Sequence, residues 1–232
     1  MNVVREAIEF LLTPDNWTGP RGILARGWAH IWISIVAVTI SAAAAIPAAI
    51  WLAHNRRAPN LSIAMVNLGR AIPSFAIIAL VFPFSIRYGF GLGFWPTCVA
   101  LVALGIPPMF TNAYAGVMET RNDIVEAAAG IGMTGPQVLR KVELPAAVPL
   151  LLTGVRVSAV QIIATATLGA LVGYECLGTY IVAGLARGPS GRPQVLAGAI
   201  LVASLALTVD VVLNSVERVL TPWRRARVVA LP

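Results

Sequence analysis

Charge is scarce in this chain. Of its 232 residues only 12% are charged, against 58% hydrophobic, and the mean hydropathy is +0.80. Ordinary soluble domains are about a quarter charged, and no globule of this size has an interior for so much apolar surface, so a water-soluble domain is excluded. Lysine is rarer still: Lys141 stands alone, followed by Val142. A phosphate-binding loop needs G-x-x-x-x-G-K-[ST], so the chain cannot hydrolyse ATP itself. Two cysteines, Cys98 and Cys176, and two histidines, His30 and His54, stand apart in no metal or redox spacing. That removes zinc and disulfide frameworks and leaves no Ser/His/Asp constellation for hydrolysis. Neither an enzyme nor a cofactor is expected.

What is present is apolar sequence in blocks long enough to cross a bilayer core, which takes about 20 residues. Five such spans are expected: 25–52, 61–86 with Pro73 and Pro83 inside it, 91–118 interrupted by Pro107 and Pro108, 146–172 and 195–220. The fold class is all-α and polytopic. Residues 1–24 form a separate interfacial segment, because the apolar run Val3–Leu12 carries Arg5, Glu6 and Glu9 and suits a helix lying in the membrane surface. Those charges also argue against a cleaved signal peptide. "TPDNWTGPRG" then reads as a loop. The domain organisation is thus 1–24, a transmembrane domain over 25–220, and a tail over 221–232. No linker or internal repeat is visible, whereas a stand-alone secondary carrier would show inverted repeats.

The net charge of +7 reads as topology signal, since arginines cluster where apolar blocks end and no basic face with interleaved aromatics points to nucleic acid. One side collects Arg56, Arg57, Arg70, Arg121, Arg140, Lys141, Arg218, Arg224, Arg225 and Arg227; the other has Arg5, Arg21, Arg26, Arg87, Arg187 and Arg192. The positive-inside rule puts the tail and residues 119–145 in the cytoplasm and the N-terminus outside. A multi-pass protein of the cytoplasmic membrane is expected.

The cytoplasmic stretch "EAAAGIGMTGPQVLRKVELP", residues 126–145, holds Gly130, Gly132 and Gly135 in the spacing G-x-G-x-x-G. A dinucleotide fingerprint requires a strand before the first glycine, but "IVEAAA" is a helix former and the flanks are membrane spans. The stretch reads instead as helix, glycine break, helix. Gly130 and Gly132 let the chain turn. Thr134 and Gln137 have capping-box spacing, with Pro136 tolerated in a first turn. The second helix covers 136–142, with Val138, Leu139 and Val142 on one face. A bent, partly apolar helical pair facing the cytoplasm is a docking element.

The same residues resemble a known signature. Glu126-Ala127-Ala128, three residues, Gly132, nine residues, then Val142-Glu143-Leu144-Pro145 is similar to the EAA loop of ABC importer permeases, whose pattern is E-A-A, three residues, G, nine residues, I-x-L-P; Val142 stands where the pattern has isoleucine. "GIPPMFTNAYAGV" at 105–117 and "QIIATATLGALVGYECLG" at 161–178 are similar to the osmoprotectant branch, except that Gly173-Tyr174-Glu175-Cys176 replaces a run of glycines. The resemblance implies two permease chains, two cytoplasmic ATPase subunits, an extracytoplasmic binding protein, and glycine betaine, choline, carnitine or proline betaine as the small-molecule solute. It makes Gly132 the bending point, Glu126 with the Ala127–Ala128 face the docking surface, and Leu144–Pro145 the joint to the fourth span. Methionine or a sulfonate is the alternative cargo on the same architecture, and a secondary carrier the more distant reading.

Within the spans, Arg156 and Asp210 are expected to pair or to line an aqueous path, because intramembrane charge is expensive. Gly169 and Gly173 form a G-x-x-x-G suited to close helix packing. A quaternary ammonium solute would suit an aromatic cage, for which Phe75, Phe82, Phe110 and Tyr114 are candidates.

Overall fold

The chain is described here by a computed structural model covering residues 3–57, 59–71 and 73–222. The expected tail beyond 222, with Arg224, Arg225 and Arg227, and the side chain of Arg70 lie outside them. Helices run α1 Val3–Leu12, α2 Ile23–His54, α3 Pro59–Ala71, α4 Ser74–Arg87, α5 Phe94–Met118, α6 Asn122–Gly130, α7 Gly135–Val138, α8 Leu144–Thr165, α9 Gly178–Ala186 and α10 Arg192–Leu220. Among the described residues no strand occurs.

Four helical stretches are long and apolar enough to cross a membrane: Ile23–His54, Phe94–Met118, Gly135–Val172 and Gly188–Leu220. They correspond to the expected spans 25–52, 91–118, 146–172 and 195–220. The expected span 61–86 is instead two helices, α3 and α4. Pro73 is extended (φ −68°, ψ 120°) and caps α4, since the residue before a proline avoids helical geometry and proline donates no backbone hydrogen bond. With 14 residues, α4 is shorter than the roughly 20 a straight crossing needs. Pro107 and Pro108 do not interrupt α5. Proline φ is compatible with a helix, and each ring removes only the one N–H that would have bonded the carbonyl four residues earlier, so the helix runs on through both.

Contacts divide the described residues between two units, one within Met1–Ile40, Ile72–Gly105 and Ala159–Val209, the other within Ser41–Ala71, Ile106–Ser158 and Asp210–Pro232. In the first, Ile33 and Ala37 of α2 pack on Cys98 and Leu101 of α5 and on Ile162 and Ala166. A second cluster joins Ile23, Leu177, Tyr180 and Val202 to Phe10, Leu11 and Trp17. Helix α1 is thereby tied down, with Trp17 Nε1–H donating to the Leu11 carbonyl at 2.7 Å. Its opposite stripe of Val4, Ile8 and Leu12 is exposed, as an interfacial helix requires.

The expected G-x-x-x-G is not a helix–helix motif. Gly169 lies in a 3₁₀ segment, Ala166–Val172, which Gly173 ends in the left-handed region (φ 87°). A Cβ on Gly169 would stand 2.8 Å from the Thr97 side chain, so this glycine serves packing within the chain. A tighter approach follows at Gly178, where a Cβ would stand 2.2 Å from the Thr167 carbonyl oxygen. Backbone cannot yield as a side-chain tip can, so Gly178→Ala is expected to destabilise by about 1–3 kcal/mol, read as a lowered melting temperature in detergent.

Candidate functional site

Between α5 and α8 the chain builds its bent helical pair from local rules. Arg121 precedes α6 and its guanidinium sits 2.6 Å from Asp123 Oδ2, a hydrogen bond that holds the Asp123 carboxyl below its usual range. After the alanine-rich run of α6, Gly132 N–H donates to Ala129 O at 2.9 Å and Met133 N–H to Ala128 O at 3.1 Å. This is the paired closure of a Schellman motif, which demands a left-handed residue at the position Gly132 holds; its φ is 86°. Gly130 is still helical, so one glycine makes the turn, not two. The expected capping box forms: Thr134 N–H donates to Gln137 Oε1 at 2.9 Å.

The second helix differs from expectation. Helix α7 ends at Val138 and gives way to a wide π turn, Leu139–Glu143. Pro145 follows, whose ring would meet the Lys141 carbonyl in a regular helix, and the ladder widens there. In the i→i+5 geometry of such a turn, residues five apart return to one face. Val138 and Glu143 accordingly both point inward, at 5% and 1% exposure, while Leu139, Val142 and Leu144 are half-buried and Pro145 exposed. Glu143 Oε2 accepts a hydrogen bond from His54 Nδ1 at 2.5 Å.

The outward surface also needs a correction. Glu126 and Ala127 are exposed, but Ala128 is 7% exposed and packs inward, because successive helix residues point about 100° apart. The outer face is completed by Ile124 and by Ile131, 78% exposed, a residue that sequence reasoning passed over. Its signal was available: a large apolar side chain placed at a glycine turn on the polar side of a span.

In the spans, α8 and α10 bring Arg156 together with a row on one face of α10. Its Nη1–H donates to Asn214 Oδ1 at 3.0 Å; Asp210 Oδ1 is 3.8 Å from Nε and Glu217 Oε2 3.9 Å from Nη1. The Arg156–Asp210 pair is therefore present but is the looser part of a four-residue group. Asn214 and Glu217 were legible at i+4 and i+7 from Asp210. Tyr114 is a packing residue: it is buried, its ring stacks on Phe110 at 6.1 Å, and its hydroxyl donates to the Arg57 carbonyl. Phe75 is exposed on α4 in the other unit. The residues that replace the glycine run brace α2: Tyr174 O–H donates to Ala29 O at 2.7 Å, and Glu175 Oε2 pairs with Arg26 at 2.8 Å.

Long apolar helices with a glycine-hinged, outward-facing helical pair between two of them define a polytopic membrane protein. Residues 45–225 match the family model for the inner-membrane component of binding-protein-dependent transport systems, and the chain belongs to that family: it is a permease subunit of an ABC importer, which works with a separate ATPase subunit and a substrate-binding protein. It is 36% identical over 201 residues to the carnitine transport permease protein OpuCB of Listeria monocytogenes, covering 86% of this chain and 88% of that one. The glycine betaine/carnitine/choline permease protein OpuCB of Bacillus subtilis is 34% identical, with 86% and 89% covered. In fold the chain matches the inward-facing MetNI methionine ABC transporter with a TM-score of 0.72 at 22% identity, over 86% of this chain and 96% of that one.

Proposed function

We propose that this permease carries a quaternary ammonium compatible solute (glycine betaine, choline, carnitine or proline betaine) inward across the cytoplasmic membrane, paired with a second permease chain. The cargo rests on the named relatives and on the likeness of residues 105–117 and 161–178 to the osmoprotectant branch. The chain crosses once through the broken pair α3–α4, so that the end of α2 and residues 119–145 share one face, as the His54–Glu143 bond requires; the arginine distribution supports placing that face in the cytoplasm and the N-terminus outside. Glu126, Ala127 and Ile131 then meet the ATPase, Gly132 sets the bend, and Val142, Leu144 and Pro145 join the loop to α8.

The observation that carries the coupling role is the solvent-facing apolar knob of Ile131 beside a turn fixed by Gly132. An isoleucine 78% exposed on a bent helical pair has the size and position to fill a cleft in a partner. Ile131→Asp leaves the permease folded, since the side chain touches little of its own chain, and reduces the ATPase recovered in co-purification by about tenfold or more, the range of a central apolar contact.

Uptake of radiolabelled glycine betaine, choline and carnitine by proteoliposomes holding permease, ATPase and binding protein tests the cargo. ATP-dependent uptake of one of them is expected. Uptake of methionine or a sulfonate with none of the three overturns the assignment of cargo and leaves the architecture standing.

A further inference from the structure

Among the described residues, Glu143 is the one Asp, Glu, Lys or Arg that is fully buried. A carboxylate withdrawn from water needs a donor, and here the donor comes from 89 residues away, His54 at the last position of α2. The other end of the segment comes near the same ring: a Cβ built on Gly135, the first residue of α7, would stand at ordinary contact distance, 3.6 Å, from His54 Nε2. The imidazole thus bonds to Glu143 and lies beside Gly135. Neither residue takes part in the docking surface, and the loop is covalently continuous with α5 and α8 but not with α2.

We propose that His54 and Glu143 are positioning residues, forming a rigid joint through which displacement of the loop by the ATPase is passed to the end of α2. The proposal rests on the reading of residues 119–145 as the coupling loop. Intact, the pair makes the loop and the α2 end move as one body. Broken, the ATPase still docks on Glu126, Ala127 and Ile131, and ATP is still hydrolysed, but α2 no longer follows.

Spin labels at Asn55 and Arg140, both exposed and outside the docking surface, report this in the purified permease–ATPase complex; the native cysteines are buried. The wild-type distance between the labels is expected to stay the same with and without ATP and vanadate. In His54→Leu and Glu143→Leu that invariance is lost, and the distance shifts or broadens when nucleotide is trapped. His54→Asn and Glu143→Gln, which keep an N–H donor and a carbonyl acceptor near the same places, retain it. If His54→Leu fails to accumulate, Glu143→Leu carries the same readout. An unchanged distance in variants that bind ATPase normally overturns the joint, as does a nucleotide-dependent change in the wild type. Failure of the wild type to bind ATPase overturns the coupling reading instead.

Discussion

Replacing Gly132 by valine is expected to separate the ATPase from an otherwise folded permease. At φ 86° a β-branched residue meets its own backbone, and a left-handed conformation costs an L-residue about 1–2 kcal/mol. A Cβ there would find nothing within 4 Å, so the effect is purely conformational and confined to the turn. A penalty of that size lowers the population of the bent pair by roughly 5–30-fold, and the ATPase recovered with the permease should fall accordingly. Gly132→Asn, which tolerates the left-handed region, should retain most of it. Gly130 provides the internal contrast: it is helical and equally open, so Gly130→Ala should be neutral or stabilising by about 0.5–1 kcal/mol. Equal losses in Gly132→Val and Gly130→Ala would show that the turn geometry is not what the ATPase reads.

Arg156→Met is the second large effect. It removes from Asp210 the guanidinium 3.8 Å away, in a helix otherwise apolar enough to cross the membrane. Removing one partner of a buried pair costs about 3–5 kcal/mol; Arg156 is 26% exposed and Asp210 45%, so the lower end of that range applies. The measurable result is loss of monodisperse permease on extraction. Adding Asp210→Asn to Arg156→Met should recover it, because the side chain left at position 210 is then neutral. Exchanging only Arg156 and Asp210 should rescue in part, since the arginine's shortest contact is to Asn214 at 3.0 Å. Complete rescue by that exchange would contradict the four-residue arrangement.

Four of the expected spans and the bent helical loop were legible because each rests on a local rule. Apolar length places α2, α5, α8 and α10, and a fixed spacing of E-A-A, G and L-P marks the loop. Sequence reading went astray where tertiary context decides. Pro73 parts two helices while Pro107 and Pro108 pass through one, although all three carry the same ring. Gly169 and Gly173 have a helix-packing spacing but fall on a 3₁₀ segment. Glu143 sits at the one unspecified position of V-x-L-P, and nothing local says that a π turn will rotate it inward toward His54. A lone histidine and a motif spacer become partners only once α2 and the loop are seen side by side.

The central claim is that residues 119–145 receive the ATPase. Photo-crosslinking tests it most directly, with benzoyl-phenylalanine at position 131 in the intact complex and a control at Trp28, an exposed side chain near the start of α2. The ATPase should be labelled from position 131 and not from position 28. Labelling of the binding protein from position 131, or of the ATPase from position 28 alone, would contradict both the orientation and the coupling role.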